Sequence, residues 1–345
     1  MNDPRVSSWR SSTAFQFQKE DIPRIIQTIG YSRFNAQYLR GAIHRPIAYP
    51  SAVLDLLRPF PNPNNRPRPS GFFGRDSPPF QPILELCDVQ SLFNLRQTSS
   101  RLREIISESE IFKHIIKALP LYHAILGTKY AQLVLVIDFY VLLTSKGCNR
   151  CGQFAMLISI PEWLRLCQDC VETGERRGIG LDLGVSRFVP LDTFAGWLAP
   201  GREIPDRYWH KDFGVGLKGQ RQHVVEYGKV RKLHQSTKPL SWKALAEFNY
   251  LVTCAVPYVD PANGETESGI ACKGCIRKLR KHPDGKDGIE RVYGREEFLG
   301  HFQWCYRAQL LWLAYKQDAS IPIDTENFEV IQKAITSFET SQRNR

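Results

Sequence analysis

The chain of 345 residues is 42% hydrophobic and 23% charged, a balance ordinary for a soluble globular protein and long enough for one large domain with accessory segments. Its most apolar run, LVLVIDFYVLL at 133–143, is broken by Asp138 and falls short of the roughly 20 residues a membrane-spanning helix needs. MNDPRVSSWRSSTAFQFQKED lacks the apolar core of a secretory signal, so no membrane association and an intracellular location, cytoplasmic or nuclear, are expected.

Residues 1–78 read as an N-terminal extension with a short helix at IPRIIQTI (22–29), ending in a linker. Ten of the 22 prolines fall between Pro46 and Pro82, and PNPNNRPRPSGFFGRDSPP has neither periodicity nor enough backbone donors for a helix.

From Ile83 onward apolar residues recur at helical spacing in three bursts, and a helical segment is expected at 79–120. Asp88, Ser99 and Ser109 each precede a burst and are natural N-caps, because their side-chain oxygens accept from first-turn N–H groups. Pro120 is expected to end the third helix. Residues 121–145 form a connecting segment with a buried helix near 128–145.

LCDVQSLFNLRQTSSRLREII resembles the second half of an F-box, whose pattern is a leucine, an aspartate, a leucine-rich helix, then serine and arginine-leucine-arginine. That resemblance implies docking on the Skp-type linker subunit of a cullin-RING ubiquitin ligase, with Leu86, Val89, Leu92, Phe93, Leu95 and Leu102 as partner-binding residues. The front of the motif departs from the pattern. SPPFQPILEL is about one helical turn short and carries Pro82 where a helix wants a backbone donor. A generic three-helix packing unit is the competing reading.

The next region, 146–318, carries the most specific chemistry. Cys148, Cys151, Cys167 and Cys170 form two C-x2-C knuckles fifteen residues apart, a spacing that suits a tetrahedral zinc shell. Between them FAMLISI (154–160) suits a strand, and the residues after Pro161 a turn back. Two disulfides or four packed thiols are the alternatives. Farther on, Cys272 and Cys275 form a third knuckle, and His301 and Cys305 lie four apart in FLGHFQWCYRAQLLW, where Phe298, Phe302, Tyr306 and Leu310 mark one helix. Together they give a Cys3His shell, with His282 as a competing fourth ligand. Four half-sites allow three pairings, and spacing alone leaves them open. Cys87 and Cys254 lack a knuckle partner and read as structural thiols, Cys254 on the buried strand VTCAVPYV.

VPYVDP, CKGC and the FLxHFxWCxxAQxLW helix, together with C-x2-CG-x-F and FVPL at 188–191, are similar to the C-terminal part of a group of fungal F-box proteins. The likeness spans about Ile83 to Trp312, and implies a substrate adaptor with an unknown protein substrate. The expected fold class is α+β: a degenerate helical F-box-like segment followed by a zinc-stabilised α+β domain, with a tail at 319–345.

Formal net charge is +11, and its excess is local: residues 201–240 hold nine basic against four acidic side chains, and 271–295 hold eight against three. Two filled zinc–thiolate shells would reduce the total to +8. The alternative function is a zinc-stabilised nucleic-acid-binding protein using basic loops at 218–234 and 276–286. The C-x2-C spacings lack the finger pattern such proteins commonly show, and about a hundred residues between Cys170 and Cys272 argue against a RING. GIGLDLG (178–184) has neither the P-loop lysine nor dinucleotide spacing, no serine elbow or H-E-x-x-H occurs, and His210 and His223 are isolated. The expectation is a protein without catalytic residues.

Overall fold

The fold is α+β, and the computed structural model describes residues 11, 13–32, 81–126, 129–173, 188–190, 208–210, 222–226, 253–275, 291–317, 333, 336 and 340. The three helices expected from the caps are present: α3 (Val89–Thr98), α4 (Ser100–Glu108) and α5 (Glu110–Ile115). Asp88 accepts from Ser91 N–H, Ser99 from Leu102 N–H and Ser109 from Phe112 N–H. Each cap satisfies a donor that the helix itself leaves unpaired.

Both prolines act differently from expectation. Pro120 lies in the first turn of the following helix, α6 (Leu119–Leu126), and Pro82 in the first turn of α2 (Gln81–Leu86). A first-turn N–H has no intrahelical acceptor, so its absence there costs nothing. The helix expected near 128–145 is shorter: a 3-10 turn at Lys129–Gln132 leads into α7 (Val136–Leu143).

α2 to α7 share one core that includes Leu84, Val89, Leu92, Ile106, Phe112, Tyr122 and Phe139. Val89 and Leu92 are fully buried and Leu102 nearly so, and they hold the helices to one another. Phe93 and Leu95 pack half-buried against the same core, and Leu86 stands exposed. Among the described residues of this helical segment, Ile83, Leu86, Leu133, Leu135 and Val141 are the exposed large apolar side chains. The chain at Cys87–Val89 runs beside Val134–Val136, joined by Val89 N–H to Val134 O and Val136 N–H to Cys87 O at 3.0 and 2.8 Å, so Leu86, Leu133 and Leu135 occupy one region.

β2 (Leu157–Ser159), within FAMLISI as expected, pairs antiparallel with β3 (Leu164–Leu166) and with β7 (Thr253–Ala255). Strand alternation divides its side chains between two cores: Ile158 faces the helices, while Leu157 faces the first cysteine group. β8 (Tyr258–Val259) and β9 (Thr266–Glu267) form a hairpin. β4 (Phe188–Pro190), β6 (Gln222–Glu226) and β5 (Tyr208–His210) make a separate three-stranded sheet in that order.

The helix expected at 22–29 is present as α1 (Ile22–Ile29), and it is built into the C-terminal core. β1 (Gly30–Tyr31) pairs with β10 (Ile270–Cys272), which pairs in turn with β11 (Val292–Tyr293). Ile25 and Ile29 pack with Phe298, Phe302 and Trp312 of α9 (Arg295–Phe302) and α10 (Tyr306–Gln317), and Phe15 and Phe17 meet Phe302 edge-on. No described helix is long and apolar enough to cross a membrane.

Arg165 ties helices to sheet. Fully buried in β3, it donates to Leu142 O (3.0 Å), Ala155 O (2.8 Å), Leu143 O (3.3 Å) and Pro257 O (3.3 Å). Burial lowers its pKa to about 10, so it remains charged at neutral pH. Arg165→Met strands carbonyls at the end of α7 and on the strand side together. Urea unfolding is expected to show a loss of about 3 kcal/mol; a loss below about 0.5 kcal/mol would contradict the clasp.

Candidate metal centres

The first knuckle is shaped by its backbone. Cys148 N–H donates to Gln153 O (2.7 Å) and Gly152 N–H to Cys148 O (2.8 Å), and Gly152 takes φ +73°, a left-handed value that favours glycine. Asn149 fastens this turn to β3 in both directions: its N–H donates to Arg165 O (2.8 Å), and its Oδ1 accepts from Arg165 N–H (2.7 Å). β3 runs directly into Cys167, and Cys170 sits in the first turn of α8 (Gln168–Thr173). The strand return therefore lays the second knuckle over the first.

The four Sγ atoms lie within 4.8 Å of one another, with Cys151 and Cys167 at 3.5 Å. A tetrahedral ion with metal–sulfur bonds of about 2.3 Å has sulfur–sulfur edges of about 3.8 Å. None of these four cysteines is in a disulfide, so the paired-disulfide reading does not hold for them. The Cys167 and Cys170 thiols donate toward Cys148 and lower its pKa, while the same contacts and burial raise that of Cys167. Burial and close contact thus oppose ionising all four thiols together, and a divalent cation is the species that lets them do so.

The second centre joins β10 to the α9–α10 corner. Cys272 ends β10 and Cys275 closes the 3-10 turn Lys273–Cys275. Gly274 is required by close approach: a Cβ there would lie 2.5 Å from Ala308 N. Lys273 points away, buried, and donates to Thr28 O at 2.9 Å, fixing the end of α1 against the knuckle.

His301 and Cys305 are not on one continuous helix as expected. α9 ends at Phe302, α10 begins at Tyr306, and Cys305 occupies the corner, where Cys305 N–H still donates to His301 O at 3.0 Å. The bend explains why Phe298, Phe302 and Leu310 are buried while Tyr306 is exposed. Cys275 Sγ stands 3.3 Å from His301 Nε2 and 3.6 Å from Cys305 Sγ, and Cys272 Sγ lies 4.0 Å from Cys305 Sγ.

Tyr293, which the sequence did not single out, orients the histidine. Its ring stacks on the imidazole at 4.5 Å and its hydroxyl lies 3.2 Å from Nδ1. With the proton on Nδ1, the Nε2 lone pair faces Cys275, the orientation typical of a metal-bound imidazole with a fixed outer partner. Burial and the neighbouring Cys275 keep the Tyr293 phenol protonated.

The structure thus resolves the pairing: Cys148, Cys151, Cys167 and Cys170 form one group, and Cys272, Cys275, His301 and Cys305 the other, both suited to a metal ion. Cys254 is buried in β7, and Cys87 is half-buried with its Sγ 3.3 Å from Ile83 O. His282 and the basic stretch 276–286 lie outside the described residues, as does most of 218–234.

Metal analysis of the purified protein is expected to give two equivalents of divalent ion per chain. The count should fall to one in Cys148→Ser/Cys151→Ser and, separately, in Gly274→Ala, whose added methyl displaces the third knuckle. Protons compete with the ion for the same sulfur lone pairs, so metal should be retained at neutral pH and released as pH falls, read by a chromogenic chelator.

No protein-family model, curated protein or solved structure matches the chain.

Proposed function

We propose that this chain is a non-catalytic, F-box-type substrate adaptor of a cullin-RING ubiquitin ligase, with two structural zinc ions holding its C-terminal region. The observation that carries the reading is the helical segment: the LCDVQSLFNLRQTSSRLREII motif folds into capped helices beside an exposed apolar region formed by Leu86, Leu133 and Leu135. Exposed aliphatic side chains grouped on one face suit contact with another protein. The partner proposed for that face is the Skp-type linker subunit.

Zinc is the proposed metal because four thiolates, or three thiolates and an imidazole, form the soft-to-borderline tetrahedral shell that it prefers. The residues of both groups would fill all four positions of such an ion. A closed shell leaves no place for a reacting water, which favours a structural role over hydrolysis. The metal would supply folding free energy, and the surface it rigidifies would present itself to the protein to be ubiquitinated.

The test is co-purification with the linker subunit. Leu86→Asp combined with Leu133→Asp places two charges in the exposed apolar region without touching the core, and is expected to reduce retention at least tenfold with metal content unchanged. Full retention by the double variant would overturn the assignment of this face. Salt-sensitive retention of nucleic acid in place of the linker subunit would favour the basic loops as the working surface.

A further inference from the structure

The two centres are connected by more than chain continuity. α9, which delivers His301, begins after Gly294, an N-cap residue with no side chain to accept from the first turn. That role is filled from another element: Glu267 Oε1, on β9, accepts from Arg295 N–H. A carboxylate at a helix N-terminus satisfies an orphan donor and complements the positive end of the helix dipole. The other oxygen, Oε2, lies 2.9 Å from Lys146 Nζ, and Lys146 stands two residues before Cys148.

Packing follows the same line. Phe154, three residues after Cys151, lies against Gly294 and Gly269. A Cβ on Gly294 would sit 3.0 Å from Phe154 Cδ2 and 3.0 Å from Glu267 Oε1, and one on Gly269 would sit 2.8 Å from Phe154 Cε1. Lys146 O accepts from Ala155 N–H at 3.1 Å, so the lysine and the phenylalanine are held on one short ladder at the mouth of the first knuckle. Glu267 is mostly covered where it makes both contacts, whereas Lys146 is half exposed. An exposed ion pair alone would contribute little, but the shared carboxylate also fixes a helix end.

We propose that Glu267 is a positioning residue that sets α9, and through it His301, in register with the first cysteine group, so that the second centre binds its ion more tightly when Glu267 bridges Arg295 N–H and Lys146. The inference rests on both groups holding metal. It assigns Glu267 no bond to the ion; the residue acts through the placement of His301.

Cobalt(II) titration of the metal-stripped full-length chain tests this, because the sulfur-only and the sulfur–imidazole centres have different ligand-field absorption bands. In Glu267→Ala the sulfur–imidazole bands are expected to require about tenfold more cobalt, while the sulfur-only bands titrate as in the parent. Glu267→Gln keeps an oxygen for Arg295 N–H and should recover most of that loss, whereas Glu267→Met, of similar bulk but without an acceptor oxygen, should not. Lys146→Met should give a smaller shift at the second centre only. Unchanged titration of the second centre in Glu267→Ala, or equal weakening of both, would overturn the proposal while leaving metal binding intact. Absence of cobalt bands at either centre in the parent chain would overturn it together with the metal reading.

Discussion

Seven sulfur atoms and one imidazole nitrogen have to be held in two clusters narrower than 5 Å, and the C-terminal half of the molecule is arranged around that requirement. Buried thiols gain little from one another, and several thiolates in one place repel. A divalent cation reverses the sign of the interaction, and its binding free energy enters directly into folding. The hydrophobic cores around the clusters are modest, so the proposed ions would act as the tie points of a region built from strands of two to five residues.

Three devices transmit that constraint outward. Arg165 gathers carbonyls from α7 and from the strand segment, so the helical segment is fixed to the first cysteine group through β3. Glu267 and Phe154 join the first group to the helix that carries His301. Lys273, inside the third knuckle, holds α1 by the Thr28 carbonyl in its last turn, which draws the N-terminal segment onto the second group. Helical segment, first group, second group and N-terminal segment form a continuous chain of contacts.

The sequence was most legible where chemistry is local. Cap residues need only a hydroxyl or carboxylate before an apolar run, and Asp88, Ser99 and Ser109 all serve as read. A C-x2-C knuckle likewise carries its geometry within four residues, and both ligand groups formed from the expected members. What escaped was non-local. The pairing of Gly30 with Cys272 joins residues far apart in the chain, and nothing in GY announces it. Tyr293 and Glu267 are ordinary strand residues until the fold sets them beside His301 and Arg295. The apolar residues of the helical motif show a third limit: periodicity marks Val89, Leu92 and Leu102 as apolar-face residues, yet it cannot distinguish a face turned to the chain's own core from one turned to a partner. Pro82 and Pro120 were read as helix breakers, although a proline in a first turn is compatible with a helix that starts there.

X-ray absorption at the zinc edge of the purified full-length protein addresses the coordination most directly. The two groups predict an averaged four-coordinate shell with sulfur and nitrogen in a ratio of seven to one and sulfur at about 2.3 Å. An oxygen-rich or six-coordinate shell, or no bound zinc in a protein that remains folded, would contradict thiolate coordination as the organising constraint.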